Sequence, residues 1–501
     1  MPDSRVRLSL DTLDRRGHHP EIVGPAHDPR GLDVGIVHLG LGAFHRAHQA
    51  VFTEDALAAT GDTGWGILGV TQRSARVVEQ LRPQDGLYGV LSKGEHSTSL
   101  RVVGSLREVA FPGDETDAVL ARIAAPSTRI VSLTVTEKGY HRTAAGSPDL
   151  ADPDVASDVA ALRAELEGTA SGSATPSRTP IGLLVRGIAL RRARHEAPLT
   201  VVCCDNMVDN GPTVRALVLA TAAAAGPRGE SLAAWIDGAV RFPATMVDRI
   251  VPATTPAHRA EAAALLGLDD EGLVVGEPFS QWVVQDDFAG PRPRWELAGA
   301  TLTGDVEPYE RTKLRMLNGT HSTLAYLGQL RGHRTIAEAV ADPEIEALAR
   351  ALVDEDVIPT LSAPDGLDLA AYRESVLERF ANPNTGHTTL QVAMDGSQKL
   401  PIRLLGTVAD RLAAGVVPQA AARALAAWAV FVGQAADGPA PLDDPLADVL
   451  RAAASGAPDG LADRLLDLGQ IFPAEVAGSE AFRAEVRAGV RELRRGLVPT
   501  S

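Results

Sequence analysis

The chain has 501 residues, 45% hydrophobic and 22% charged, with a formal net charge of -16. That length exceeds one ordinary domain and predicts two, each with a sizeable core. The acidic balance and the lack of any Lys/Arg run exclude phosphate-backbone binding as a main function, while leaving room for a local basic pocket.

In chain order, the residues up to about Arg30 read as a leader rich in turn residues, polar at its start and without the apolar stretch of a signal peptide. From Leu32 onward strands and helices alternate. Apolar, β-branched runs fall at Val34–Leu39, Trp65–Thr71, Arg129–Val135, Leu199–Cys204 and Arg241–Met246. Helical patterns fall between several of them, at Arg46–Ala59, Arg73–Leu81, Thr116–Ile123, Ile181–Arg194 and Thr213–Ala225. That alternation predicts a mostly parallel sheet with helices on both faces. Gly168–Pro180, rich in Ser, Thr and Gly, reads as a loop or insertion. Cys203 and Cys204 are adjacent within an apolar run, which makes no disulfide framework and suits a reducing compartment.

Near Pro291–Trp295 the character changes. After a short strand-like run at Ala298–Thr303, helical periodicity dominates, at Glu307–Leu330, Pro343–Glu355, Leu367–Phe380, Pro418–Val432 and Glu480–Leu497. The expected division is therefore an α/β domain over residues 31–290 and a helical domain over 291–501. The longest apolar runs, such as Ala424 to Gly433, are too short to span a membrane, so a cytoplasmic protein with no membrane partner is expected.

Two segments carry chemistry. In Gly35–His48 a strand ends and a helix begins around Gly40-Leu-Gly42-Ala43-Phe44. Gly40 permits a tight turn, and Gly42 permits close backbone approach to a pyrophosphate at a helix N-terminus. His45 stands where the third glycine of the dinucleotide fingerprint belongs. A carboxylate for the adenosine ribose is missing after the second strand, which reads Gly69-Val-Thr71-Gln72-Arg73. NAD is the expected cofactor, with NADP left open by Arg73. His45 and His48 lack a Cys or carboxylate at ligand spacing, so no metal is expected.

The second segment, Lys313-Leu-Arg-Met-Leu-Asn318-Gly-Thr-His321, places an amine, an amide and an imidazole among apolar residues. On a regular α-helix, at about 100° per residue, the three side chains share an arc of about 140°, with Glu310 inside it. Such a group can move a proton, hold a developing alkoxide and orient a hydroxylated substrate without a metal. The alternative is a solvated face with i,i+3 charge pairing.

These blocks, with Ser132–Tyr140, Cys204-Asp-Asn206, Thr245–Pro252, Glu277–Trp282 and Met394-Asp-Gly-Ser-Gln-Lys399-Leu-Pro401, resemble the polyol-specific long-chain dehydrogenases, the mannitol dehydrogenase family, and most closely its fructuronate reductase (D-mannonate oxidoreductase) branch. The resemblance runs from about residue 35 to the C-terminus and weakens after Leu405. It implies a Rossmann-type domain followed by a mostly helical one, and metal-independent hydride transfer. It makes Lys313 the general base, a role that demands a pKa lowered by roughly 2–3 units in a desolvated site. It makes Asn206 and Asn318 the amides that stabilise the alkoxide, His321 a substrate-positioning group, and Glu310 a gate for proton exchange, with a Glu310–Lys313 salt bridge as the plain alternative. It places Asp248 and Lys399 in the substrate pocket, where Asp248 with Arg249 could equally be a structural ion pair. Gly40, Gly42, Ala43, Phe44 and Thr71 fall at cofactor-binding positions.

For the substrate, mannitol-type members carry an arginine eight residues before the lysine of the Asp-Gly-Ser-x-Lys block, where this chain has Gln391. A sugar acid still needs a cation, for which Lys399 is the first candidate, with Arg403 and Arg249 after it. The expected reaction is D-fructuronate to D-mannonate with a nicotinamide cofactor. Oxidation of mannitol or arabinitol, or of mannitol 1-phosphate, is the alternative within the family, and a non-catalytic dinucleotide-binding regulator is the alternative outside it. No interface is legible in the sequence, so no oligomeric state follows.

Overall fold

The structure, a computed structural model, describes residues 5–17, 20–143, 145–170, 174–437 and 442–496. Part of the expected Gly168–Pro180 loop (171–173) and Leu497 of the expected last helix lie outside the described residues. The chain forms two compact units, Met1–Val306 and Glu307–Ser501.

The first unit is built on three sheets, whose strands we number in chain order: β1 (Ile22–Val23), β2 (Val34–Leu39), β3 (Gly66–Val70), β4 (Tyr88–Lys93), β5 (Thr98–Val103), β6 (Leu106–Ala110), β7 (Ile130–Leu133), β8 (Leu199–Cys203), β9 (Val240–Arg241), β10 (Thr245–Asp248), β11 (Val274–Gly276), β12 (Gln281–Gln285) and β13 (Thr301–Thr303). The main sheet runs β6-β3-β2-β7-β8-β9, parallel throughout. The chain winds outward in one direction from β2 and in the other from β7. That is the doubly wound order with its switch point at β2/β7, where ligands bind beyond the carboxyl ends of the strands. Every residue of β2, β3, β7 and β8 is buried, as expected of strands covered on both faces. This is a Rossmann-type domain.

Two smaller sheets accompany it, β1-β5-β4-β11 and β10-β12-β13. The β4–β5 hairpin was not legible in the sequence, because the exposed and buried positions of Thr98–Val103 do not alternate cleanly. The leader also needs correction. Ile22–Val23 pairs in parallel with Leu100–Arg101, the Leu8 amide donates to Asp269 O while the Asp269 amide donates to Val6 O, and the Leu8 side chain is wholly buried. The first unit thus uses residues before 31. Its end differs too: β13 pairs with Val283–Gln285, which carries the unit past residue 290 to Val306.

The second unit is mostly helical. Its centre is the Ala-rich helix Gln419–Asp437, which packs on Glu480–Gly496 closely enough that a Cβ on Gly489 would meet the Ala426 methyl at 2.7 Å. Three helical stretches widen into π turns, at Lys313–Asn318, Leu352–Val357 and Pro401–Leu405. The first packs against the other two. Pro401 has no N–H, so it cannot make the ordinary bond one turn back, which loosens the third stretch.

Candidate active site

At the switch point, Gly40 and Leu41 both donate their amides to Val70 O, at 2.8 and 3.0 Å, which folds the chain tightly off the end of β2. Gly40 has φ +98°, and a side chain there would run into the Thr134 carbonyl, so this position requires glycine. Gly42 caps the helix Ala43–Ala47 with no side chain accepting from the first turn. A Cβ at Gly42 would meet only Gly40 O, at 3.7 Å, so that side of the turn is open to a ligand. Ala43 and Phe44 are partly exposed on the first helical turn, and Thr71 is buried at the end of β3, donating its amide to Ala110 O. Open space and uncapped N–H groups suit a pyrophosphate.

The residue at the third-glycine position explains itself. His45 stacks on His38 with ring centroids 3.4 Å apart and planes 11° from parallel. His38 is held by Ser132 Oγ at 2.8 Å and Thr134 Oγ1 at 2.9 Å. Burial lowers the His38 pKa to about 3, and lowers that of His45 well below its usual value. Both rings are therefore neutral. His48 Nε2 bonds to Gln281 O at 2.8 Å, and among the described residues no cluster of His, Cys, Asp or Glu could hold a metal.

At the end of β8 the sequence reading missed Asp205. Its carboxylate accepts from the amides of Val135 and Thr136 at 2.9 Å each and from Tyr140 Oη at 2.6 Å. Thr136 has φ +69°, a strained conformation that this bond supports. Burial raises the Asp205 pKa against those bonds. The signal was available, as an acid between an apolar strand and Asn206. Asp205 thereby ties the ends of β7 and β8 together. Asn206 follows, exposed at the carboxyl end of β8. Asp248 closes β10, buried opposite Gln281. Arg249 donates to Glu277 O at 2.8 and 3.0 Å, to Ser92 Oγ at 3.2 Å and to Ala47 O. Those backbone partners hold it as a brace of the first unit.

In the second unit, Lys313 and Asn318 are both buried, 6% exposed each. The regular helix expected for them is replaced by a π turn. Gly319 donates its amide to Leu314 O, five residues back, so residues five apart become neighbours along the axis. Lys313 and Asn318 have that separation. Arg315 anchors the turn through Asp410 at 2.6 Å and Thr360 Oγ1 at 2.6 Å. Glu310 lies half-buried in the helix Glu307–Thr312 just before.

His321, on the next turn, stacks with Phe380 at 4.7 Å and with His387 at 5.5 Å. Its Nε2 is buried with no hydrogen-bond partner among the described residues. Burial lowers its pKa well below the usual value, with the neighbouring His387 ring and the charges of Arg403, Lys399 and Arg379 acting in the same direction. Arg403 donates to Ser322 Oγ at 3.0 Å, next to His321. Lys399 donates to Val392 O at 3.3 Å and to Met394 O, with Asp395 3.8 Å away, and burial lowers its pKa. Gln391 is different. It is exposed, and its side chain completes a capping box with Thr388. The structure thus gathers Lys399 and Arg403 around His321, and gives Gln391 a local backbone role.

A doubly wound Rossmann-type domain is thus followed by a helical unit with a buried lysine and amide on one π turn. Residues 34–297 match the Mannitol dehydrogenase Rossmann domain and residues 305–494 the Mannitol dehydrogenase C-terminal domain. The chain belongs to the mannitol dehydrogenase family, and is an oxidoreductase acting on a secondary alcohol. It is 41% identical to the D-mannonate oxidoreductase of Escherichia coli (strain K12), over 94% of this chain and 96% of that protein. It is 35% identical to the mannitol 2-dehydrogenase of Phaeosphaeria nodorum, over 94% of this chain and 81% of that one. Among solved structures, the Pseudomonas fluorescens mannitol 2-dehydrogenase ternary complex with NAD and D-mannitol matches with TM-score 0.83 and 35% identity, covering 98% of both chains. A substrate-free D-sorbitol dehydrogenase matches with TM-score 0.86 and 30% identity, over 98% of this chain and 99% of that one.

Proposed function

We propose that this protein interconverts D-fructuronate and D-mannonate with NAD(H). The observation that carries the reading is the surroundings of His321, whose orphaned Nε2 is ready for a substrate oxygen while Lys399 and Arg403 supply positive charge. The 41% identity to a D-mannonate oxidoreductase supports the same substrate class.

The open turn at Gly40, Gly42, Ala43 and Phe44, with Thr71, would hold the dinucleotide, which supplies the hydride acceptor. In the oxidation direction Lys313 Nζ, buried on its π turn, is assigned the proton of the substrate hydroxyl. The side-chain amide of Asn318 donates to the oxygen as negative charge develops, and Asn206 is assigned the second such donor. His321, neutral, orients the hydroxyl without placing a second charge beside Lys313. Glu310, on the turn before Lys313, is assigned the return of the proton to solvent. Asp248 is assigned a hydroxyl of the substrate chain.

The test is consumption of NADH by the purified protein with fructuronate, fructose and fructose 6-phosphate in parallel, repeated with NADPH. Turnover on fructuronate well above that on fructose and fructose 6-phosphate supports the reading, and NADH preferred to NADPH supports NAD. Preference for fructose would overturn the substrate and favour a mannitol 2-dehydrogenase, the reading that the mannitol-bound relative supports.

A further inference from the structure

His387 is an imidazole whose backbone is fixed and whose ring is left to bind something. It lies between the turn Pro383–Thr385 and the helix Thr389–Ala393, directly after Gly386 at φ +63°. Its carbonyl accepts from the Ile336 amide at 3.0 Å, and two residues on the Thr389 amide bonds to Arg334 O at 3.1 Å. Thr389 Oγ1 adds a bond to His333 O at 2.8 Å. The segment is thus clamped to residues 333–336 on both sides of the histidine. The ring itself makes no hydrogen bond to any described residue, yet stacks with His321 at 5.5 Å and 23° from parallel. A side chain held only by a stack, beside the group assigned to the substrate, has its ring N–H available.

The charges that bear on His321, on which the ring stacks, indicate what that N–H would meet. Lys399 and Arg403 are four residues apart along one helical stretch, and Arg403 is anchored through Ser322 to the same turn as His321. A carboxylate accepts a hydrogen bond from imidazole and is drawn by the positive charge that bears on His321, whereas a neutral polyol gains nothing from that charge.

We propose that His387 is a substrate-binding residue that donates to the carboxylate of a sugar acid, and so sets acid over polyol. The proposal rests on the hexuronate reading above. D-Mannonate and D-mannitol make the comparison clean, because they differ only in whether one end is a carboxylate or a hydroxymethyl group. His387→Phe keeps an aromatic ring against His321 and removes the N–H; His387→Gln keeps a donor and removes the ring.

For His387→Phe the expected result is a tenfold or larger loss of kcat/KM on mannonate, carried by KM. Turnover of mannitol should stay within twofold, and NADH binding, read by fluorescence, should be unchanged. His387→Gln should recover part of the loss on mannonate. An equal fall on both substrates would overturn the proposal and make His387 a packing partner of His321, and no change on either would also overturn it. Wild-type kinetics judge the parent reading separately. A wild-type protein that oxidises mannitol and ignores mannonate overturns both, whereas mannonate turnover indifferent to His387→Phe overturns this proposal alone.

Discussion

Gly319 is bonded through its amide to the carbonyl of Leu314, and that five-residue closure brings Lys313 and Asn318 into register. The glycine has a second reason to be there, since a Cβ would stand 2.9 Å from Arg403 O. Gly319→Ala should therefore push the helix away from the Pro401–Leu405 stretch. The expected cost is about 1–3 kcal/mol of stability, as for overpacking elsewhere. Urea unfolding measures it, and a midpoint equal to wild type would show that the two stretches can part without loss.

Lys313→Ala should abolish turnover while leaving NADH fluorescence titration intact, because the dinucleotide turn belongs to the other unit. Asn318→Ala should cost about 3 kcal/mol in the transition state, roughly a hundredfold in kcat. Retained kcat in either variant would remove that residue from the chemistry.

Gly40→Ala tests the nucleotide turn directly. The φ of +98° and the Thr134 carbonyl leave no room for a methyl group. Affinity for NADH should fall by at least tenfold, with the turn displaced. Unchanged affinity would show that the dinucleotide does not depend on this turn.

Stability should fall on acidification. His38 titrates at about 3 in the fold against 6.5 for a free imidazole, so as pH drops through 6.5 the unfolded chain takes up a proton first. Between pH 6.5 and 3 each such group lowers stability by about 1.4 kcal/mol per pH unit, and none of this loss is present at neutral pH. His38→Gln should flatten the slope of stability against pH between 6 and 5 by about one proton. A slope equal to wild type would mean that other groups set the acid sensitivity.

Tyr140→Phe removes one of three donors to a buried carboxylate at the end of β8. A loss of about 1–3 kcal/mol is expected, with the end of the strand loosened. A thermal melt checks it, and an unshifted midpoint would show that Asp205 is content with its two amides.

The sequence made the main sheet legible wherever burial on both faces produced continuous apolar runs; Val34–Leu39 was read to the residue. It concealed elements whose signal is not periodic. Two-residue strands such as Ile22–Val23 have no pattern to detect, so the leader looked unstructured. The π turn keeps the same residues as a regular helix and differs only in which carbonyl each amide meets. At the candidate site, Lys313, Asn318 and His321 were legible because polar groups interrupt an apolar helix. His387 was not, because its significance lies in a ring stack across 66 residues of chain, from His321.

The adjacent thiols of Cys203 and Cys204 are both buried, and burial pushes Cys203 up to about 12 and raises Cys204 as well. At neutral pH neither offers a thiolate to an alkylating reagent. The native chain is thus chemically silent towards maleimides. A cysteine introduced at an exposed position such as Val416 would be the one to react, giving a single-site dye or spin label without first removing the natural thiols.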